Sequence, residues 1–434
     1  MNIMKFALNE GAEDVVLEKI KGITKQVRFA NNSITISQIW NLNFYKLFLT
    51  RKNRVMNSTI NDTSDDSVKK TIRNLIKISK ITQPNKNYFG IAEGPFRYKK
   101  IQNTYDKKIQ NTDAIDVINS AINSALKHSK RTAGVFYTNT FQREIETSSN
   151  ILASEKSSSI QISIRAFNES DESGHAVSCS RVLNRFNPDK AGNKAGEIAK
   201  LAKKPQKGKK GTYDVIFDPL SISNLLTLIG RFASSFIVDS GYSFLREKIG
   251  KIIGNKKVNL IDDGRIENGF NSFLFDEEGV PTKRTVVIDK GILKTYLHNS
   301  STAKKYKAKT TGNAGLISPS PTNIILEKGK ISNEDLFHNV RNGLYITNVW
   351  YTRFQNYLTG DFSTIPRDGI FLIKNGEIIR SLKGIRISDN LQRMLLNIFD
   401  ISNKPEWIYW WEVQTPVLTP TILVKNVKIT LPTM

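Results

Sequence analysis

The feature that most constrains this fold is its punctuation. From residue 275 to 398 the chain is cut repeatedly by turn sequences: FDEEGVPTKR at 275–284, IDKGILKTYL at 288–297, TTGNAG at 310–315, TGDFS at 359–363, FLIKNGEII at 371–379 and ISDNLQRMLLNI at 387–398. Asn375-Gly376 between FLIK and EIIR is the strongest hairpin signal, because a type I′ turn needs positive φ at both central residues. Asp289-Lys290-Gly291 turns VVI into ILKTYL in the same way, Gly279 ends the acidic turn, and Pro281 restarts an extended run. Pro416 and Pro420 mark WEVQTPVLTPTILVKNVKI as an edge or closing strand. Segment 211–434 is therefore expected to be a mostly antiparallel β domain, a curved sheet or open barrel, carrying one helix at 221–238.

The order and spacing of these motifs resemble the TldD/TldE peptidase family, whose second branch is also called PmbA, modulator of DNA gyrase. One branch of that family is a zinc peptidase with a His-Glu-x-x-x-His helix after the strand that opens the C-terminal domain, and a further cysteine ligand near its C-terminus. A metallopeptidase helix needs two imidazoles about a turn apart, with a glutamate as general base. Here the strand reads YDVIFDP, 213–219, and the following SISNLLTLIGRFASSFIV, 221–238, holds no His, Glu or Cys. The closest two of the four histidines, His298 and His338, are forty residues apart (338 − 298), and PEWIYWWE at 405–412 has no cysteine. The chain thus resembles the TldE/PmbA branch. The resemblance implies no catalytic or metal-binding residue in this chain, zinc in a TldD-like partner, and an unfolded peptide or leader peptide as substrate. A homodimer is the alternative assembly.

Upstream, the chain reads as sheet-plus-helix units, so the whole is expected to be α+β. In 1–100, DVVLEKI and KQVRFANNSITISQ alternate as strands around an Asn31-Asn32 turn. Asp65 and Asp66 then open an amphipathic helix with Val68, Ile72, Leu75, Ile76 and Ser79 on one stripe. In 101–205, a helix at 113–128 precedes two strand patterns, FQREIETSSNILASEKSS and SIQISIRAFNES. The first repeats the scheme of strand, Asn-containing turn, strand, which suggests a duplicated unit. A helix over 190–203 leads to the lysine-rich linker KKPQKGKKG, the best domain boundary.

The net charge is +24, from 64 Lys+Arg against 40 Asp+Glu. Such a field attracts acidic partners or nucleic acid. The lysine clusters at 203–211 and 304–309 lack interleaved stacking aromatics, and no helix-turn-helix, zinc-finger or RNP-like motif is present. Solvated surface is the plainer account. No apolar run reaches the ~18 residues of a membrane helix. One cysteine excludes an internal disulfide framework, and MNIMKFALNEGAED lacks the apolar core of a signal peptide, so cytoplasm is expected.

Six features carry site hypotheses. Asp276, Glu277 and Glu278 read as a solvated turn at a hairpin tip, with acid–base chemistry as the sharper alternative. Gly312 and Asn313 in TTGNAG cap a short helix at 299–307, and the resemblance puts them beside the substrate cleft. Asp361, Ser363 and Arg367 in TGDFSTIPRDG form either a polar cluster gripping a peptide backbone or a turn in which Asp361 pairs with Arg367. His175 and Cys179 share a strand face about 13 Å apart at ~3.3 Å per residue, too far for a metal pair. Cys179 reads as a buried thiol. Trp407, Trp410 and Trp411 form a core or interface cluster. The expected function is a non-catalytic subunit of a two-subunit zinc peptidase. The alternative is a basic, non-enzymatic modulator that binds nucleic acid or a nucleic-acid enzyme.

Overall fold

The computed structural model describes residues 2–432. The N-terminal half runs α1 (Ile3–Asn9), β1 (Val15–Ala30), β2 (Ser33–Arg51), β3 (Arg54–Ile60), α2 (Asp65–Ser79), α3 (Ala114–Leu126), β4 (Arg131–Thr147), β5 (Leu152–Phe167), β6 (Ser173–Ser180) and α4 (Pro188–Leu201). A unit of helix, three strands and helix therefore occurs twice. The two units share one six-stranded antiparallel sheet, in the order β3-β2-β1-β4-β5-β6. They join along β1 and β4, paired from Val16↔Thr147 to Ala30↔Ala133.

Local chemistry explains these elements. Asn31 and Asn32 both have positive φ, 49° and 65°, as the β1–β2 hairpin requires. Ser64 caps α2 by accepting from Ser67 N, and the expected stripe Val68, Ile72, Leu75, Ile76, Ser79 is buried. Gly192 lets α4 lie on α3, because a Cβ there would sit 2.0 Å from the Ala121 carbonyl oxygen.

The C-terminal half runs β7 (Gln206–Lys207), β8 (Gly211–Phe217), α5 (Pro219–Phe232), α6 (Ser235–Asp239), β9 (Leu260–Asp263), β10 (Arg284–Asp289), β11 (Ile292–Leu293), α7 (Ser300–Lys305), β12 (Ile324–Leu326) and α8 (Asn333–His338). It continues with β13 (Asn342–Asn356), β14 (Asp361–Lys374), β15 (Glu377–Lys383), β16 (Arg386–Asn390), α9 (Leu391–Leu396), β17 (Ile398–Ile401), β18 (Glu406–Trp410), β19 (Val413–Thr419) and β20 (Ile422–Thr430). Strands β13-β8-β20-β16-β14 close into a barrel through the β13–β14 pairing. A second sheet, β11-β10-β9-β12-β19-β18, lies beside it, and α5 packs against strands of both. The chain is α+β with a barrel-bearing, mostly antiparallel C-terminal region, as expected. The barrel is closed rather than open.

Four local expectations need correction. The helix expected over 221–238 is two: Asp218 caps α5 by accepting from Leu220 N, and α6 restarts after Ser234. The stretch 203–211 is pinned to the barrel side, because Gln206 and Lys207 pair with Leu382 and Lys383. Strand β19 lies inside its sheet between β12 and β18; its Pro416 falls at the irregularity between the Ile408↔Val417 and Trp410↔Val413 pairs, where an N–H is dispensable. Residues 361–374 form one strand instead of turns: Pro366 pairs opposite Val349, and Asp368 and Gly369, with φ 55° and 110°, depart from extended geometry.

Candidate functional site

The two halves meet along a seam rich in buried polar groups. The acidic turn lies in it. Asp276 and Glu278 are 6% and 3% exposed, so the expectation of a solvated hairpin tip was wrong. Asp276 Oδ1 accepts from Glu278 N and Val280 N, each at 3.0 Å, and its Oδ2 accepts from Ala314 N at 2.9 Å. Glu278 accepts from Ser300 N at 3.2 Å. Glu277 accepts from Lys46 Nζ at 2.7 Å, and Lys46 also lies 3.2 Å from Glu18. Arg143 Nε lies 2.7 Å from Glu18, and its Nη1 lies 3.5 Å from Glu155. Four carboxyls, Glu18, Glu155, Asp276 and Glu277, thus share the fields of Lys46 and Arg143. Burial, then repulsion from Asp276, pushes Glu278 up to about 8; burial pushes Asp276 up to about 7. Burial also acts on Glu277, but Lys46 outweighs it and holds Glu277 below its ordinary range.

A second cluster joins β5 and β6 to the barrel. Its bulge conformation places Asp368 to accept from Arg165 Nη2 at 2.5 Å, Ser173 Oγ at 2.7 Å and Asn348 Nδ2 at 3.3 Å. His175, 1% exposed, lies between Ser163 Oγ (2.8 Å from Nε2) and Asn348 Nδ2 (2.9 Å from Nδ1). A serine, a histidine and an orienting polar group in line look like an activated nucleophile. The protons argue otherwise. Asn348 Oδ1 already accepts from Val349 N, so Nδ2 faces the ring and donates to Nδ1. The imidazole proton then sits on Nε2 and points at Ser163, where a general base must be bare. Burial pushes His175 down to about 4, so the ring is neutral and the cluster is a lock between the halves.

Helix α5 is the third component. Twelve of its fourteen residues are buried, and its buried polar side chains are committed to protein partners. Asn224 accepts from Thr352 Oγ1 at 2.5 Å and donates to Glu412 Oε2 at 3.4 Å; Thr227 Oγ1 accepts from Thr415 N at 3.0 Å. Ser221 donates to Ile346 O and Ser223 to Pro219 O. Its cap Asp218 receives Lys194 Nζ at 3.1 Å and Tyr345 Oη at 2.9 Å. Among the described residues no group of three or more His, Cys, Asp or Glu comes together to hold a metal. The donor set of this helix does not fit zinc.

The residues singled out in the sequence fall in separate places. Gly312, φ 69°, lies against Pro281, and a Cβ there would sit 2.6 Å from its carbonyl oxygen. Asn313 is buried; its Nδ2 donates to Asp262 Oδ2 at 2.5 Å and Ser320 O at 3.1 Å, while its Oδ1 has no hydrogen-bond partner. Both brace the loop over Asp276 rather than capping α7. Asp361 accepts from Asn390 Nδ2 at 2.9 Å, and Ser363 accepts from Arg386 Nη1 at 3.0 Å. Arg367 lies over Trp350, 5.0 Å from the ring centre, and does not pair with Asp361. Six residues of strand separate them, about 20 Å. Cys179 is buried and pushed up to about 12, as an inert thiol is. Trp410 is core, whereas Trp411 is 59% exposed.

Residues 210–431 match the profile of the PmbA/TldA metallopeptidase C-terminal domain. A metalloprotease of Methanocaldococcus jannaschii is 33% identical over 199 residues, 44% of this chain and 43% of the relative. The matched stretches cover less than half the length of the first curated relatives. A metalloprotease PmbA homolog of Haemophilus influenzae is 25% identical over 86% of this chain and 82% of the relative. Two crystal structures, a modulator of a DNA gyrase from Thermotoga maritima and TldE from Thermococcus kodakarensis, superpose with TM-scores of 0.87 over 99% of this chain and 98% and 99% of theirs. At 22% and 18% identity, these two establish the fold alone.

Proposed function

The chain belongs to the PmbA/TldD metallopeptidase family, and from that premise we propose that it is the TldE/PmbA-like, non-catalytic subunit of a two-subunit peptidase. The observation that carries this reading is α5. It occupies the position directly after β8 where the family resemblance expects zinc ligands, yet its buried polar side chains are spent on Thr352, Glu412, Thr415 and backbone carbonyls. Zinc and the general base belong on a TldD-like partner. The role of this chain is to enclose the chamber and to hold an unfolded peptide or leader peptide as an extended strand, through main-chain hydrogen bonds. Gly312, Asn313, Asp361, Ser363 and Arg367 remain the proposed peptide-facing residues, and 1–100, 101–205 and 211–434 the proposed domains. A cytoplasmic location accords with the absence of any described helix long and apolar enough to cross a membrane. Co-expression with a TldD-like chain, followed by size-exclusion chromatography, tests the partnership; two separate peaks would reject it.

A further inference from the structure

We infer that a row of cations and rings on β13 and β14 is a binding site for an acidic peptide segment. The row runs Arg367, Trp350, Tyr351, Arg353, with Trp411 beside it. The inference rests on the reading of this chain as a peptide-holding subunit, and it names the class of peptide. Arg367 lies 5.0 Å from the Trp350 ring centre, the Trp350 and Tyr351 rings are 6.0 Å apart, and Arg353 lies 6.0 Å from the Tyr351 ring centre. Trp411 meets Trp350 edge-on at 5.3 Å. Trp350 is half-buried, and the other four are exposed.

The backbone is bent to make this row. Pairing passes from Trp350↔Ile365 to Arg353↔Ser363, so β13 carries one extra residue there. Tyr351 takes φ 55°, a strained conformation for an aromatic residue. A bulge of this kind re-aims a side chain. Two bonds hold it: Tyr351 N donates to Glu412 Oε1 at 3.3 Å, and Thr352 Oγ1 donates to Asn224 Oδ1 at 2.5 Å. Asn224 also donates to Glu412 Oε2 at 3.4 Å. Helix α5 therefore braces the row.

The charges then choose the ligand. Arg165 also lies 5.0 Å from the Trp350 ring centre, but Asp368 neutralises it. Arg367 has no hydrogen bond or ion pair among the described residues, and Arg353 donates only to the Thr352 carbonyl. Trp350 Nε1 and Trp410 Nε1 are buried without an acceptor, so the cluster is short of acceptors throughout. A guanidinium stacked on a ring is pre-organised and keeps its edge N–H groups for a carboxylate. The exposed rings of Tyr351 and Trp411 offer apolar area to the neighbouring side chains of the same peptide. Single-stranded nucleic acid also uses rings among cations, but it needs a positive groove that follows successive phosphates. Here only Arg353 and Arg367 lack an acid, and the Glu412 carboxylate lies against Tyr351. That pattern suits separate carboxylates.

Fluorescence anisotropy on the full chain at ~150 mM salt tests this. The probes are a labelled Gly-Ser peptide bearing Glu-Phe pairs, its counterpart with Gln for Glu, and labelled oligothymidylate. The acidic peptide should bind at least ~tenfold tighter than the other two. Arg353→Gln with Arg367→Gln should abolish that preference with an unchanged circular dichroism spectrum. Trp411→Ala should weaken both peptides. Arg341→Gln with Lys374→Gln removes two exposed charges at the other end of the same strands and should leave the preference intact. Equal affinity for the two peptides, no binding of either, an equal loss in the Arg341/Lys374 variant, or tighter binding of oligothymidylate would overturn the inference. A chain that co-elutes with a TldD-like partner yet shows no acidic preference would sink this inference alone and leave the subunit reading standing.

Discussion

Glu278 shows what a single residue contributes here. Its carboxyl, pushed up to about 8, stays neutral in the folded chain over a range where the unfolded chain ionises it. A raised carboxyl pKa means that stability falls as pH climbs from about 4.5 to about 8. Glu278→Gln should therefore gain on the wild type with rising pH: similar melting temperatures at pH 5, and a gap of ~2–4 °C or more at pH 8.5. A gap independent of pH would refute the buried, protonated state. Asp368 predicts the opposite sign. Removing it strands Arg165, so Asp368→Ala should destabilise by roughly 3 kcal/mol, read by chemical denaturation; a loss under ~1 kcal/mol would mean the lock is dispensable. Asp361 and Arg367 do not touch, so their alanine variants should be additive in stability within ~0.5 kcal/mol, and a larger coupling would contradict their separation.

Among the elements, α5 separates what the sequence disclosed from what it hid. The absence of His, Glu and Cys over 221–238 was plain from residue types. So were α2 and α3 and the Asn-bearing hairpins, because their caps, stripes and positive-φ residues are local. What stayed hidden depended on distant partners. FDEEG reads as solvated because acidic residues next to glycine usually are; only the seam with Lys46, Arg143 and Ser300 buries it. Residues 361–369 read as turns from their Asp, Pro and Gly, yet barrel pairing with β13 and β16 drew them into a strand. His175 was weighed only as a metal partner of Cys179; its links to Ser163 and Asn348 stayed hidden because they join residues up to 173 positions apart. At the scale of α5 we predict that the purified chain, after dialysis, binds well under one zinc per chain by elemental analysis. About one tightly held zinc would overturn the reading of this helix.

The whole molecule is two halves held by ion pairs and hydrogen bonds: Lys46, Arg165 and Lys194 each reach an acid across the seam, and Arg143 donates across it to Phe275 O. Buried pairs lose much when one partner is removed, so the halves should unfold as a unit rather than in two steps. The central claim is that this chain shapes a peptidase without performing its chemistry. Turnover of an unfolded peptide by this chain alone, by a TldD-like partner alone, and by their mixture with and without a chelator measures it most directly. The account predicts no turnover by this chain alone, and turnover by the mixture that the chelator abolishes. Chelator-resistant hydrolysis by this chain alone would contradict it.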